Sequence, residues 1–184
     1  FGDTDELVAL AGVLAPRGGG RADAGGTFLF AAHMRNEDDR LLAAIEEILT
    51  VGRRAGVPVH LSHLKAQGRR NWWKAEIALQ MVDAAAAEGV DVTFDRYPYV
   101  AYATGLTSLF PAWSREGGTG RLLERLADPD QGPRVRALVR AKVSLLGDWD
   151  AVQITSAGAT PWAVGRRLGG LAAERGEDPL DLTV

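Results

Sequence analysis

The chain has 184 residues, 46% hydrophobic and 24% charged, the balance of a globular protein of about one domain. A formal net charge of -3 offers no basic surface to nucleic acid, and no apolar run approaches the roughly eighteen residues of a membrane span. Zero cysteines exclude disulfides, thiolate metal sites and cysteine nucleophiles within these residues. That leaves the compartment open, with a cytoplasmic location the expectation.

The opening FGDTDELVAL does not read as a signal peptide. Asp3 or Thr4 is placed to cap a first helix, TDELVALAGVLA, with Leu7, Leu10, Ala11 and Leu14 at helical spacing. Pro16 and a Gly-rich loop, residues 18–26, close it. That loop lacks the Lys-Ser/Thr that a phosphate cradle needs, so it reads as a flexible surface loop. Thr27 to Ala32, TFLFAA, is a short apolar run and hence a buried strand that ends at His33. A helix follows, begun by Asp38 or Asp39, with Leu41, Leu42, Ile45, Ile48 and Leu49 inward. Arg53 and Arg54 suit its C-terminal dipole, and Gly56 is a stop. VPVHLSH is the second strand. Asn71 is placed to cap the next helix, which ends at Gly89, and DVTFD is the third strand. Strand and helix alternating through short connectors is the rhythm of parallel βαβ units. Beyond Gly105 the expectation is a short helix in LTSLFPAW, amphipathic helices in GRLLERLAD and PRVRALVRAKVSLL, a fourth strand in WDAVQIT and a last helix from Pro161 to Gly176.

Sites in parallel α/β folds lie at the C-terminal ends of the strands. The first strand ends in His33, with Arg35 and Glu37 just beyond; the second in His63 and Lys65; the third in Asp95, Tyr97 and Tyr99. His33 and His63 suit zinc as neutral imidazoles, or else are histidines held by hydrogen bonds; zinc catalysis needs about three protein ligands and a water. His60 lies three residues from His63, so on an extended strand it faces the opposite side and packs under a helix. Lys65, two beyond His63, shares its side and is either a cation for a substrate carboxylate or a solvated lysine. Arg35 and Glu37 are expected to pair and brace their loop. Asp95 is open to three readings: metal ligand, proton acceptor or turn cap. Of the tyrosines flanking Pro98, one is expected to donate to a substrate carbonyl and the other to pack.

FAAHMRNEDDRLL, GVPVHLSHLKAQGRRNWWK and DVTFDRYPYVAYATG resemble, in order and spacing, the N-acyl-D-amino-acid deacylase (D-aminoacylase) family of the amidohydrolase superfamily. The resemblance runs over most of Thr27 to Gly105. It implies a metal-dependent (β/α)8 TIM-type barrel, with the three strands as barrel strands four to six. It implies zinc ligation by His33 and His63, binding of the substrate carboxylate by Lys65, and a contact from Tyr97 near the scissile amide. The family's YPYxAGST reads YPYVAYAT here, with Tyr102 for glycine and Ala103 for a substrate-bonding serine. His60 stands where glutamine is common. The family's first-strand His-x-His, its zinc-binding cysteine and its eighth-strand catalytic aspartate have no counterpart in these residues, so no catalytic acid or base is assigned within the chain.

The expectation is therefore α/β: residues 1–184 as one incomplete barrel domain, about strands four to seven with their helices. The opening on Phe1 and the closing DPLDLTV suggest an internal fragment. The parent would be a zinc-dependent hydrolase cleaving N-acyl-D-amino acids to a carboxylate and a D-amino acid, with the isolated chain inactive. Its partner would be that small substrate, with neither nucleic acid nor membrane, and an oligomeric state left open. The alternatives are a cyclic-amide hydrolase of the dihydroorotase type and a truncated, non-catalytic domain.

Overall fold

A computed structural model of the protein describes residues 2–14 and 28–184, so the Gly-rich loop expected at 18–26 lies outside the described residues. The chain divides into two compact units, Phe1–Pro98 and Tyr99–Val184.

The first unit is α/β. Its strands are β1 (Phe30–Ala32), β2 (Val59–Leu61) and β3 (Val92–Phe94), paired in parallel in the order β1-β2-β3. The register sets Phe30 beside Val59 and Val59 beside Val92. The strands are therefore shorter than the apolar runs that announce them. Helices α1 (Thr4–Leu14), α2 (Leu41–Ala55) and α3 (Lys74–Ala87) complete the unit. Buried Leu41, Ala44, Ile45, Ile48 and Leu49 recur at helical spacing along α2 and pack with Val59 and Leu61 of β2 and Ala78, Val82 and Ala85 of α3. Side chains alternate on a strand, so His60, between Val59 and Leu61, faces away from that core beside Ala31 and Thr93. The expectation that His60 packs under a helix is thus overturned. Ala11 of α1 joins Val51 and Val57 in a smaller cluster, while Leu10 stays exposed.

The caps differ in detail from the sequence reading. Asn36, not Asp38 or Asp39, leads into α2: its Oδ1 accepts from the backbone N–H of Asp38 and of Arg40. Asp39 turns outward to Arg70 and Asn71. Asn71 is buried and does not cap α3; its amide donates to Asp39 and the Gln67 carbonyl and accepts from Lys74 Nζ at 2.7 Å. Gly56 ends α2 as expected, at φ 66°, a left-handed position that glycine takes without penalty.

The second unit is helical: α4 (Ala112–Arg115), α5 (Thr119–Ala127), α6 (Gln131–Leu146) and α7 (Leu168–Arg175). Val135, Val139 and Val143 of α6 pack with Leu109, Phe110, Leu122 and Leu180. The fourth strand expected in WDAVQIT does not form. Trp149–Ala151 is a turn of 3-10 helix, its backbone N–H groups taken by Asp148, and Gln153 makes one isolated antiparallel bridge to Arg167. The helix expected from Pro161 to Gly176 is broken: a 3-10 turn (Pro161–Ala163) precedes Gly165 at φ 84°, and α7 starts only at Leu168.

Candidate metal centre

The short strands deliver their C-terminal residues to one place. β1 runs straight into His33. β2 stops at Leu61, and the chain turns through Ser62 and His63, with His63 at φ 43°. This is the only described non-glycine residue with positive φ. The turn is why strand alternation does not govern His63. Ser62 N–H donates to the Ala32 carbonyl and Leu64 N–H to that of Asp95, which ties the turn to both neighbouring strands.

The rings of His33 and His63 stack, with centroids 4.5 Å apart and planes 28° apart. His33 Nδ1 faces His63 Nε2 directly. Two imidazoles from adjacent strands thus lie side by side.

On the other side of the His63 ring, Nδ1 lies 2.9 Å from Glu37 Oε1. Lys65 Nζ donates to the same oxygen at 2.6 Å and approaches His63 Nδ1 at 2.9 Å. Lys65 therefore does lie on the side of His63. Glu37 does not pair with Arg35 as expected. Arg35 instead donates to both carboxylate oxygens of Glu47 on α2 and to the Gly2 carbonyl. Arginine reaches across the loop because a two-oxygen acceptor on a rigid helix matches its fork. Glu37 is one residue that sequence reasoning places wrongly. The signal that could have found it is a carboxylate four residues past a strand-end histidine, beside a strand-end lysine.

Asp95 caps the turn. Its Oδ1 accepts from the His63 N–H at 2.6 Å, and its Oδ2 lies 2.9 Å from His60 Nε2. His60 Nδ1 in turn lies 2.7 Å from Thr93 Oγ1. The His60 hydrogen bond, then that of His63, holds the Asp95 carboxyl below the usual range. Tyr97 sits with its ring centroid 5.8 Å from Lys65 Nζ, and its buried hydroxyl has no hydrogen-bond partner among the described residues. Burial raises that phenol, and the charge of Glu37 adds to the effect. Tyr99 does not pack as expected; it is 69% exposed.

Among the described residues no group of three or more His, Asp or Glu side chains assembles as a metal-binding set. The donors present nevertheless fit zinc, as two neutral imidazoles out of the roughly three ligands such a site uses.

Comparisons with known proteins place this α/β chain beside enzymes of the amidohydrolase class. No family model matches the chain. Two solved structures resemble it across nearly its whole length. The N-acyl-D-glutamate deacylase of Bordetella bronchiseptica, complexed with zinc and a phosphonate inhibitor, matches with a TM-score of 0.68 at 27% identity, over 99% of this chain and 29% of that one. A D-aminoacylase described as defining a novel subset of amidohydrolases matches with a TM-score of 0.62 at 29% identity, over 98% of this chain and 29% of that one. More narrowly, the chain's homologues by sequence are N-acyl-D-amino-acid deacylases, the family its three motifs resemble. The N-acyl-D-glutamate deacylase of Alcaligenes xylosoxydans xylosoxydans is 43% identical over 99 residues, 54% of this chain and 18% of that protein. The D-aminoacylase of the same organism is 37% identical over 103 residues, 56% of this chain and 19% of that protein. The chain thus spans about a fifth of the length of these curated relatives.

Proposed function

We propose that this chain is the part of a TIM-type barrel that supplies two metal imidazoles and a share of the substrate pocket to a zinc-dependent deacylase. The reaction is hydrolysis of the amide of an N-acyl-D-amino acid to a carboxylate and a D-amino acid. The observation that carries this reading is the meeting of His33 Nδ1 and His63 Nε2 at the ends of neighbouring parallel strands.

His33 and His63 would hold the zinc. When bound, zinc would polarise the amide carbonyl and lower the pKa of a water. The chain's own residues orient and bind. With a proton on His63 Nδ1, Glu37 accepts it and leaves the Nε2 lone pair turned toward His33. Lys65, held beside Glu37, would be the cation that meets the carboxylate of the D-amino acid. The unpartnered Tyr97 hydroxyl is a donor for the amide carbonyl, and its raised pKa keeps the proton on it. Both Asp95 oxygens are engaged in the turn, so the water-activating carboxylate and the remaining ligands would come from beyond these residues.

The test is a chimera in which this chain replaces the matching segment of a zinc deacylase barrel. It should hydrolyse N-acyl-D-amino acids and leave cyclic imides intact, whereas the 184-residue chain alone should do neither. His33→Ala or His63→Ala in the chimera should cost more than about a hundredfold in kcat/KM, beyond the usual loss of an outer-shell partner. Cleavage of cyclic imides in preference, or full activity of either alanine variant, refutes the proposal.

A further inference from the structure

The His63 backbone holds a conformation that its own Cβ disfavours, at φ 43°. A non-glycine residue stays there only when its surroundings fix it. The surroundings are specific. The His63 N–H points at Asp95 Oδ1, 2.6 Å away. Asp95 is itself held from two sides. Its backbone N–H donates to the Leu61 carbonyl and its carbonyl accepts from Leu64 N–H, so its main chain brackets the turn. Its Oδ2 meets His60 Nε2, and the His60 ring is fixed at its other nitrogen by Thr93 Oγ1. The line Thr93–His60–Asp95–His63 therefore runs from β3 to β2, back to the end of β3, and into the peptide of a candidate metal ligand. Every member lies on or just past these two strands.

We infer that Asp95, anchored by His60, is a positioning residue: its carboxylate holds the His63 peptide in the left-handed turn that aims the imidazole at His33. The inference rests on the metal reading above, and it extends that reading to two residues that touch neither substrate nor metal. Without the carboxylate, the turn relaxes toward extended backbone, and strand alternation then carries the ring away from His33. The role requires an acceptor at Oδ1 and no charge there, so an amide can replace the acid. The role of His60 is to stop the Asp95 side chain from rotating, so its removal weakens the effect without abolishing it.

The test uses isotope-labelled chain. In the metal-free protein, the His63 amide and Cα/Cβ resonances report the hydrogen bond and the left-handed φ. A zinc titration then follows the imidazole resonances of His33 and His63. In the unmodified chain the two rings should respond together. Asp95→Ala should lose the left-handed signature and need about tenfold more zinc or beyond, the low end for groups that orient a ligand. Asp95→Asn should keep the signature and titrate close to the unmodified chain, with His60→Ala between the two. An Asp95→Ala chain that keeps the signature and binds zinc unchanged overturns the inference. Zinc that moves neither ring in the unmodified chain overturns the metal reading instead, while the metal-free signature still decides the role of Asp95. Where Asp95→Ala fails to fold, Asp95→Asn and His60→Ala decide it: equal titrations in the two overturn the inference.

Discussion

At the scale of single residues, the site depends on a carboxylate serving an ammonium and an imidazole at once. Glu37 Oε1 lies 2.6 Å from Lys65 Nζ and 2.9 Å from His63 Nδ1. Glu37→Gln keeps the shape, loses the charge, and presents either an oxygen or an N–H to the ring. It is expected to weaken zinc binding by about 10- to 100-fold, as loss of a partner that orients a metal histidine does, measured by competition with a chelator. Unchanged zinc affinity would show that His63 is oriented by other means. The sequence made His33, His63, Lys65 and Tyr97 legible because they sit at or just past strand ends, where the topology alone brings them together. It left Glu37 misread and Asp95 open between three readings because their partners are tertiary. Glu37 had two cations within reach, Arg35 and Lys65, and the outcome turned on Glu47 of α2 claiming the arginine. The placing of His60 fails because strand alternation does not extend to His63: β2 ends two residues earlier.

At the scale of elements, Glu47 links three segments. It takes Arg35 from the loop after β1 and, at 3.0 Å, the Thr4 hydroxyl of α1. The Arg35 hydrogen bonds are the main cause that lowers its pKa below the usual carboxylate range. In the window between the lowered and the ordinary value the unfolded chain binds more protons. This contribution to stability is therefore present above the ordinary carboxylate pKa and is lost as pH falls through the folded value. Glu47→Gln should flatten the acid limb of a denaturation series run from neutral pH down to the carboxylate range. An unaltered limb would assign the acid sensitivity to other carboxylates. On α6, Gly132 is a second element-scale case. Helix propensity favours alanine there by about 1 kcal/mol. An added Cβ, however, would stand 2.5 Å from the Leu126 carbonyl oxygen, a backbone atom that cannot swing aside. Gly132→Ala should therefore destabilise the chain by roughly 1–3 kcal/mol in denaturant melts, the usual cost of overpacking. A stabilised variant would mean that α5 can shift away from α6.

At the scale of the whole molecule, the first unit was the more legible, for a physical reason. Its helices and strands alternate, and α2, α3 and the strands share one apolar core, so periodicity and element order agree even where the caps do not. The second unit carries no sheet, and its cores are made by short helices and turns. There the apolar run in WDAVQIT looked like a strand, although Val152 and Ile154 pack beside Ala163, Leu168 and Leu171 without a ladder to join. An isolated apolar run carries no information about whether a neighbouring strand exists to receive it. No described helix is long and apolar enough to cross a membrane.

The three-stranded ladder has β2 in its middle, so among the described residues β1 and β3 each pair on one flank only. Their outer flanks carry peptide groups in parallel spacing, a template for any strand that can run in the same direction. Such a rim is indifferent to which chain supplies its neighbour. At rising concentration the purified chain should self-associate through these flanks, and the apparent molar mass from light scattering should grow with protein concentration at constant fold. A polypeptide that supplies a parallel strand to either rim should therefore suppress the self-association.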